Sequence, residues 1–342
     1  MTTYMYPQKL LSIIVPSYNM QAYLPSCLGS LIVDDNELLS KLNVIVVNDG
    51  SKDCTSKIAH EFEEKYPGVF HVIDKENGHY GSCINVGLKF VRGAFVKVLD
   101  ADDAIDTEGL SRFLRFLEVT DADLVLSDWV DVTSEGKVER QIHHLPTSEV
   151  LTMNQYLWKY PIAFHAGITY KADVFNRFDY LQLEGVAYTD LEWDVLPFTV
   201  VNSVAYVPEI VYRYTTNRDG QTSGLYTQCR NYQMILTMFL DLTRKYEIQR
   251  LSTPYKVQEF LDWFISFKIA ECYRRIYVNR AQGDIFAFDD ALKKVSSLIY
   301  NKVSEHRLGR LRVNFALLHR RHSLWGRLCI VIYSCLFRLI GR

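Results

Sequence analysis

The strongest constraint on the fold is a rhythm in the first third of the chain. From Leu10 to about Trp129, short apolar runs alternate with amphipathic stretches. The runs at 11–15, 44–47, 70–73, 95–99 and 124–126 are dense in Val, Ile, Leu and Phe. Strands covered on both faces read this way. Between them, 22–31, 55–66, 82–91 and 110–117 carry the 3.6-residue spacing of half-buried helices. The alternation predicts βαβ units, hence an α/β fold with a mostly parallel sheet covered by helices.

In such sheets ligands bind beyond the carboxyl ends of the strands. The chemically loaded residues fall there: Pro16-Ser17-Tyr18-Asn19 after the first strand, Asn48-Asp49-Gly50-Ser51 after the second, Asp74 to Gly81 after the third, and Asp100-Ala101-Asp102-Asp103 after the fourth. Three carboxylates within four positions offer hard oxygen ligands, and a divalent ion among them relieves their mutual repulsion while keeping positions open for phosphates. A plainer reading is a solvated acidic turn that caps the helix beginning near Thr107. The glycines around Lys75 and His79 (Gly78 and Gly81) would let backbone approach a ligand, with both side chains in reach of ribose or phosphate.

From about Val130 to Gly224 the pattern is irregular and aromatic, as expected of the sheet's completion and an acceptor-side wall. From Leu225 the chain reads helical, with helices expected at 226–246, from Ser252/Thr253 to Tyr277, and at 288–303. The tail is distinctive. From Arg307 to Arg342 there are eight Arg and no Asp, Glu or Lys. Its apolar run, 328–337, is too short to span a bilayer. A basic amphipathic helix lying on an anionic membrane face fits that pattern, and so does a helix packed on the protein. Residues 1–224, 225–304 and 305–342 are thus expected as a catalytic domain, a helical region and an Arg-rich tail.

With 38 Lys+Arg against 40 Asp+Glu, no overall field favours nucleic acid. Seven cysteines, an odd number without a C-x-x-C pair, predict reduced thiols and a cytoplasmic setting. No basic segment followed by a long apolar run opens the chain, so no signal peptide is expected.

Taken in order, these motifs resemble the inverting family 2 glycosyltransferases, which have the GT-A fold. The resemblance runs from about Lys9 to Gly224 and rests on the segments above, with Asn85-Val86-Gly87-Leu88, Arg92-Gly93, Tyr188-Thr189-Asp190, Tyr212-Arg213-Tyr214 and Arg218-Asp219-Gly220-Gln221. It implies transfer of a hexosyl or N-acetylhexosaminyl group from a UDP-sugar to a hydroxyl of a glycan or lipid-linked acceptor in cell-surface polysaccharide synthesis, and an enzyme peripheral on the inner membrane face. It implies that Asp49 binds uracil, with Pro16, Ser17 and Asn19 lining the pocket. The other reading of Asp49 is a cap for the helix starting near Asp53. It implies that Asp100, Asp102 and Asp103 share ribose contact and the binding of Mn²⁺ or Mg²⁺, with Asp102 the firmest metal ligand. Arg218 and Gln221 match a segment that touches the diphosphate or the acceptor.

An inverting displacement needs a base for the acceptor proton. The matching position is Asp190. The residue before it is Thr189 where the family commonly has Glu, and Glu184, Glu192 and Asp194 lie near enough to compete. His165 reads either as a core histidine or as part of the acceptor end. Two other functions fit the motifs less well. A catalytically silent nucleotide-sugar-binding or scaffold subunit would not need both metal carboxylates and a base. A dinucleotide oxidoreductase would need G-x-G-x-x-G after the first strand, where Val15-Pro16-Ser17-Tyr18-Asn19-Met20 stands.

Overall fold

The structure, a computed structural model, describes residues 9–133, 136–142, 145–147, 149–157, 159, 165–216, 231–279, 284–308, 312–320 and 324–340. The chain divides into two compact units, Met1–Arg218 and Asp219–Arg342.

The first unit is built on strands β1 (Lys9–Ser17), β2 (Leu42–Asn48), β3 (Phe70–Asp74), β4 (Gly93–Val98), β5 (Ala104–Ile105), β6 (Leu124–Thr133), β7 (Val138–Gln141), β8 (Leu151–Thr152), β9 (Ile168–Lys171) and β10 (Ser203–Thr216). Eight lie in the order β3-β2-β1-β4-β9-β6-β10-β5, with β7 on β6 and β8 on β10. β3, β2, β1 and β4 are parallel, as the alternation predicted. Beyond β4 the sheet becomes mixed, because β9 runs antiparallel to both β4 and β6. The order steps outward from β1 to β2 and β3, then reverses so that β4 lies on the other side of β1. That reversal is a topological switch point, where the loops after β1, β2 and β4 converge.

The helices among these strands are α1 (Leu24–Gly29), α2 (Asn36–Ser40), α3 (Thr55–Lys65), α4 (His79–Leu88), α5 (Thr107–Leu117), α6 (Met153–Tyr156) and α7 (Asp190–Val195). α5 shows how they pack. It buries Leu110, Phe113, Leu114 and Leu117, at helical spacing along one face, against the sheet. At about 1.5–3 kcal/mol per side chain, the four residues of this stripe stabilise the unit by about 6–12 kcal/mol. The N-cap of α5 is Asp106, which accepts from Gly109 N at 2.9 Å. The run 100–103 therefore does not cap this helix. α3 likewise takes its first-turn bond from Asp53 Oδ1, which accepts from Thr55 N at 3.0 Å, leaving Asp49 outside that role.

The second unit comprises α8 (Tyr232–Arg250), α9 (Tyr255–Asn279), α10 (Ile285–Val295), α11 (Ser297–Val303), α12 (Phe315–Arg320) and α13 (Leu324–Ile340). The single helix expected over 288–303 is two. Ser296 is extended, and its hydroxyl accepts from Ile299 N to start a new helix. The tail helices α12 and α13 pack on α9. No described helix is long and apolar enough to cross a membrane.

Candidate active site

Asp49 follows β2 and is buried, at 3% exposure. Its amide donates to Ser17 O at the end of β1. Its carboxylate Oδ1 accepts from Lys75 Nζ at 2.5 Å and from Gly78 N at 2.9 Å. Lys75 Nζ also donates to Ser82 Oγ at 2.8 Å, so one ammonium joins the loops after β2 and β3 to the first turn of α4. Gly50 has φ +71°, and a Cβ there would stand 3.0 Å from Asn77 N, so the close approach of these loops requires glycine. They enclose a cleft of about 640 Å³ lined by Tyr18, Asn48, Gly50, Lys52, Asp74, Lys75, Glu76 and Asn77.

Around that cleft, Pro16 is half-buried and Ser17 buried, its hydroxyl turned back to Val15 O. Asn19 shapes backbone: its Oδ1 accepts from Lys52 N at 2.8 Å, and its own amide donates to Ser51 Oγ. His79 is the first residue of α4 and has φ 64°. Gly81 differs from its expected ligand-approach role. A Cβ on it would lie 2.0 Å from Leu183 O, so the missing side chain makes room for the segment leading to Asp190.

The loop after β4 carries the acids. Carboxylate oxygens of Asp100, Asp102 and Asp103 lie within 4.8 Å of one another. Their burial differs. Asp103 is at 4% exposure, its Oδ2 accepting from Tyr212 OH at 2.7 Å and its Oδ1 from Thr215 N at 2.6 Å. Burial, then the charges of Asp100 and Asp102, push its carboxyl well above the usual carboxylate range. Tyr212 thus links two acids, because its oxygen also accepts from Asp100 N at 3.1 Å. Asp100 and Asp102 are half-buried.

Asp190 is the first residue of α7 and is half-buried. Crowding by protein raises its pKa, the His165 charge lowers it, and the Asp100 charge raises it again. Its interaction with both residues places it in one electrostatic cluster with the acids after β4. Its rivals separate by their bonds. Glu192 is fully buried and accepts from Leu183 N at 2.7 Å, and Glu184 accepts from Asn85 Nδ2 at 2.8 Å. Both hold the strap that precedes α7. Asp194, one turn after Asp190, acts electrostatically on His165 and Tyr80. Thr189, where the resemblance expects Glu, is fully buried, and Gln182 Nε2 donates to its carbonyl at 2.7 Å and its hydroxyl at 3.1 Å. Arg218 and Gln221 lie outside the described residues.

The family model for glycosyl transferase family 2 matches residues 12–178. An uncharacterized glycosyltransferase of Mycoplasma pneumoniae is 26% identical over 236 residues, which is 68% of this chain and 78% of that protein. The poly(ribitol-phosphate) beta-N-acetylglucosaminyltransferase TarS of Staphylococcus aureus is 24% identical over 260 residues, 75% of this chain but 44% of its own length. Over the matched residues the chain is similar to glycosyl transferase family 2. Its fold matches the crystal structure of S. aureus TarS 1-349 in complex with UDP-GlcNAc with a TM-score of 0.69 at 19% identity, covering 97% of this chain and 92% of that one. A mannosyltransferase from Pyrobaculum calidifontis, in complex with GDP-Man and Mn²⁺, matches with a TM-score of 0.52 at 16% identity over 98% and 89% of the two chains. The fold is the expected GT-A fold.

The sequence motifs assign no role to three contributors. Tyr18, which the motif after β1 includes without a role, is 45% exposed at the cleft. Burial of Tyr80, together with the Asp100 and Asp190 charges, holds its phenol protonated. Lys97 lies within β4 with no exposed surface. A lone lysine inside an apolar run was the one available signal for it, since a strand buried on both faces has no ordinary place for a charge.

Proposed function

We propose that this chain transfers a hexosyl or N-acetylhexosaminyl group from a UDP-sugar to an acceptor hydroxyl, inverting the anomeric centre, in the synthesis of a cell-surface polysaccharide or glycolipid. The observation that carries this reading is the gathering of three separate acidic functions around one strand-order reversal: buried Asp49 after β2, the 100–103 cluster after β4, and Asp190, which feels the charge of Asp100. UDP-GlcNAc bound in the structure of TarS supports a UDP-sugar as donor. In this reading Asp49 accepts from the uracil ring, and Pro16, Ser17, Lys75, Gly78 and His79 border the nucleotide.

The acid cluster fits Mn²⁺ or Mg²⁺ by donor chemistry, because all its ligand atoms are hard carboxylate oxygens. Asp103 already binds Tyr212 and Thr215, so Asp100 and Asp102 would hold the ion. Bound, it would neutralise charge on the departing diphosphate. Asp190 takes the acceptor proton, and its raised pKa brings its basicity nearer to the working pH. The test is the thermal stability of the full chain against a panel of nucleotide sugars with and without Mn²⁺. A metal-dependent rise confined to UDP-sugars supports the reading, and the absence of any rise refutes it.

We further propose peripheral membrane association on the cytoplasmic side through α13. Trp325, Leu328, Val331 and Ile332 are 74%, 49%, 60% and 47% exposed and share one side of the helix. Arg320 does not contribute, because it is ion-paired with Asp289. Trp325→Ser with Val331→Ser should release the full chain from anionic vesicles in a sedimentation assay. Undiminished binding would refute this role. Removing the whole tail would be a poor test, because Phe315 of α12 is a core residue.

A further inference from the structure

We propose that His165 is a positioning residue that, together with Tyr80, sets the Asp100 carboxylate for the metal–nucleotide complex. This rests on the donor-site reading above. His165 opens the short 3₁₀ turn His165–Gly167, directly before β9. Its side chain is 4% exposed, and its Nε2 lies 3.4 Å from Asp100 Oδ2, while the Asp100 side chain keeps 26% exposure toward solvent. The acid therefore has one side against the imidazole and one side open. Tyr80, from the first turn of α4, lies near enough to the same carboxylate for the Asp100 charge to help hold its phenol protonated. The imidazole is fixed between rings, meeting Tyr212 and Tyr214 edge-on at 6.0 and 6.5 Å. The turn that carries it is pinned from below, where Lys97 Nζ donates to Ala166 O at 2.6 Å and to Ile168 O at 3.1 Å.

For stability alone this is a costly construction. A buried lysine and a buried histidine behind a strand end contribute less than well-packed apolar residues of similar volume. What the arrangement supplies is direction. The Asp100 carboxylate hangs from a loop, and without lateral donors it would sample rotamers that turn its oxygens away from its neighbours. Positioning of this kind, by donors that are themselves locked, is what holds a ligating carboxylate in place.

The test compares two polar replacements in the full chain, His165→Gln and His165→Asn. Gln places an amide nitrogen at the reach of Nε2, whereas Asn falls one bond short. The probe is UDP, titrated calorimetrically in the presence of Mn²⁺, with circular dichroism to confirm folding. The expected result is UDP affinity within threefold of the parent for Gln and a loss of at least tenfold for Asn. Tyr80→Phe, which removes the phenol hydroxyl while keeping the ring, should weaken UDP at least threefold. Equal affinities for the Gln and Asn variants, whether both normal or both impaired, would overturn the proposal. A parent chain that binds no UDP with Mn²⁺ would instead remove the donor-site reading, and this inference with it.

Discussion

Replacing Lys97 by Met should change how stability depends on pH. Burial pulls the Lys97 ammonium from 10.5 down to about 7. Between those values the unfolded chain holds a proton at this site that the folded chain has released. The unfolded state therefore binds more protons, and stability rises with pH through that interval. At 1.36 kcal/mol per pH unit, the distance from 10.5 to about 7 totals about 5 kcal/mol. Between pH 7 and 9 the gain is about 2 kcal/mol, because the folded lysine is half protonated at the start of that range. Lys97→Met removes the titration. It also strips the donor from Ala166 O and Ile168 O, an effect that offsets the curve without giving it slope. The assay is urea unfolding at pH 7, 8 and 9, followed by tryptophan fluorescence in a Trp263→Phe/Trp325→Phe background, so that the remaining indoles report on the first unit. The parent should gain about 2 kcal/mol relative to the Met variant from pH 7 to 9. Parallel curves would refute the argument and mean that the buried lysine stays charged.

Other perturbations test the site and its supports. Asp190→Asn should leave UDP affinity within about threefold and slow transfer by on the order of a thousandfold, about 4 kcal/mol in the barrier, measured as UDP release with the donor found in the stability screen. Gly81→Ala should cost more than about 2 kcal/mol in urea unfolding, since its Cβ would meet Leu183 O at 2.0 Å and backbone must move. Tyr212→Phe removes the donor to Asp103 Oδ2 and the acceptor for Asp100 N, and should cost about 2–4 kcal/mol by the same measurement.

The parallel half of the sheet was legible because β1, β2 and β4 are largely buried on both faces, and such burial writes itself as unbroken apolar runs. β2 is the clearest example, with every residue from Leu42 to Asn48 buried. The mixed half was not legible. β10 extends over 14 residues with breaks of register between Val207 and Tyr212, and its sequence alternates aromatic, charged and polar residues that no single period describes. β9 is four residues long, and what makes it a strand is the company of β4 and β6 on either side. The break at Ser296 turns on one hydroxyl that competes with the helix ladder, a preference worth about 1 kcal/mol and easily hidden within a strong amphipathic pattern.

For the candidate site, sequence spacing identified residues at the ends of strands but not what grips them. The 100–103 run stood out as three carboxylates directly after an apolar run, and Asp49 through its place in the motif after β2 that the resemblance covers. Which of the crowded acids faces inward depends on partners more than a hundred positions away, since Tyr212 and Thr215 claim Asp103. The same holds at Thr189, whose buried bonds to Gln182 occupy a place where the resemblance expects a carboxylate. His165 could be read as a core histidine or as a site histidine, and the two readings do not compete. It is buried among rings as a core residue is, and the atom that its burial aims is Asp100 Oδ2. A residue that acts by holding another leaves no motif of its own, because the residues that follow it, Ala166 and Gly167, belong to the turn that carries it and not to the acid it meets.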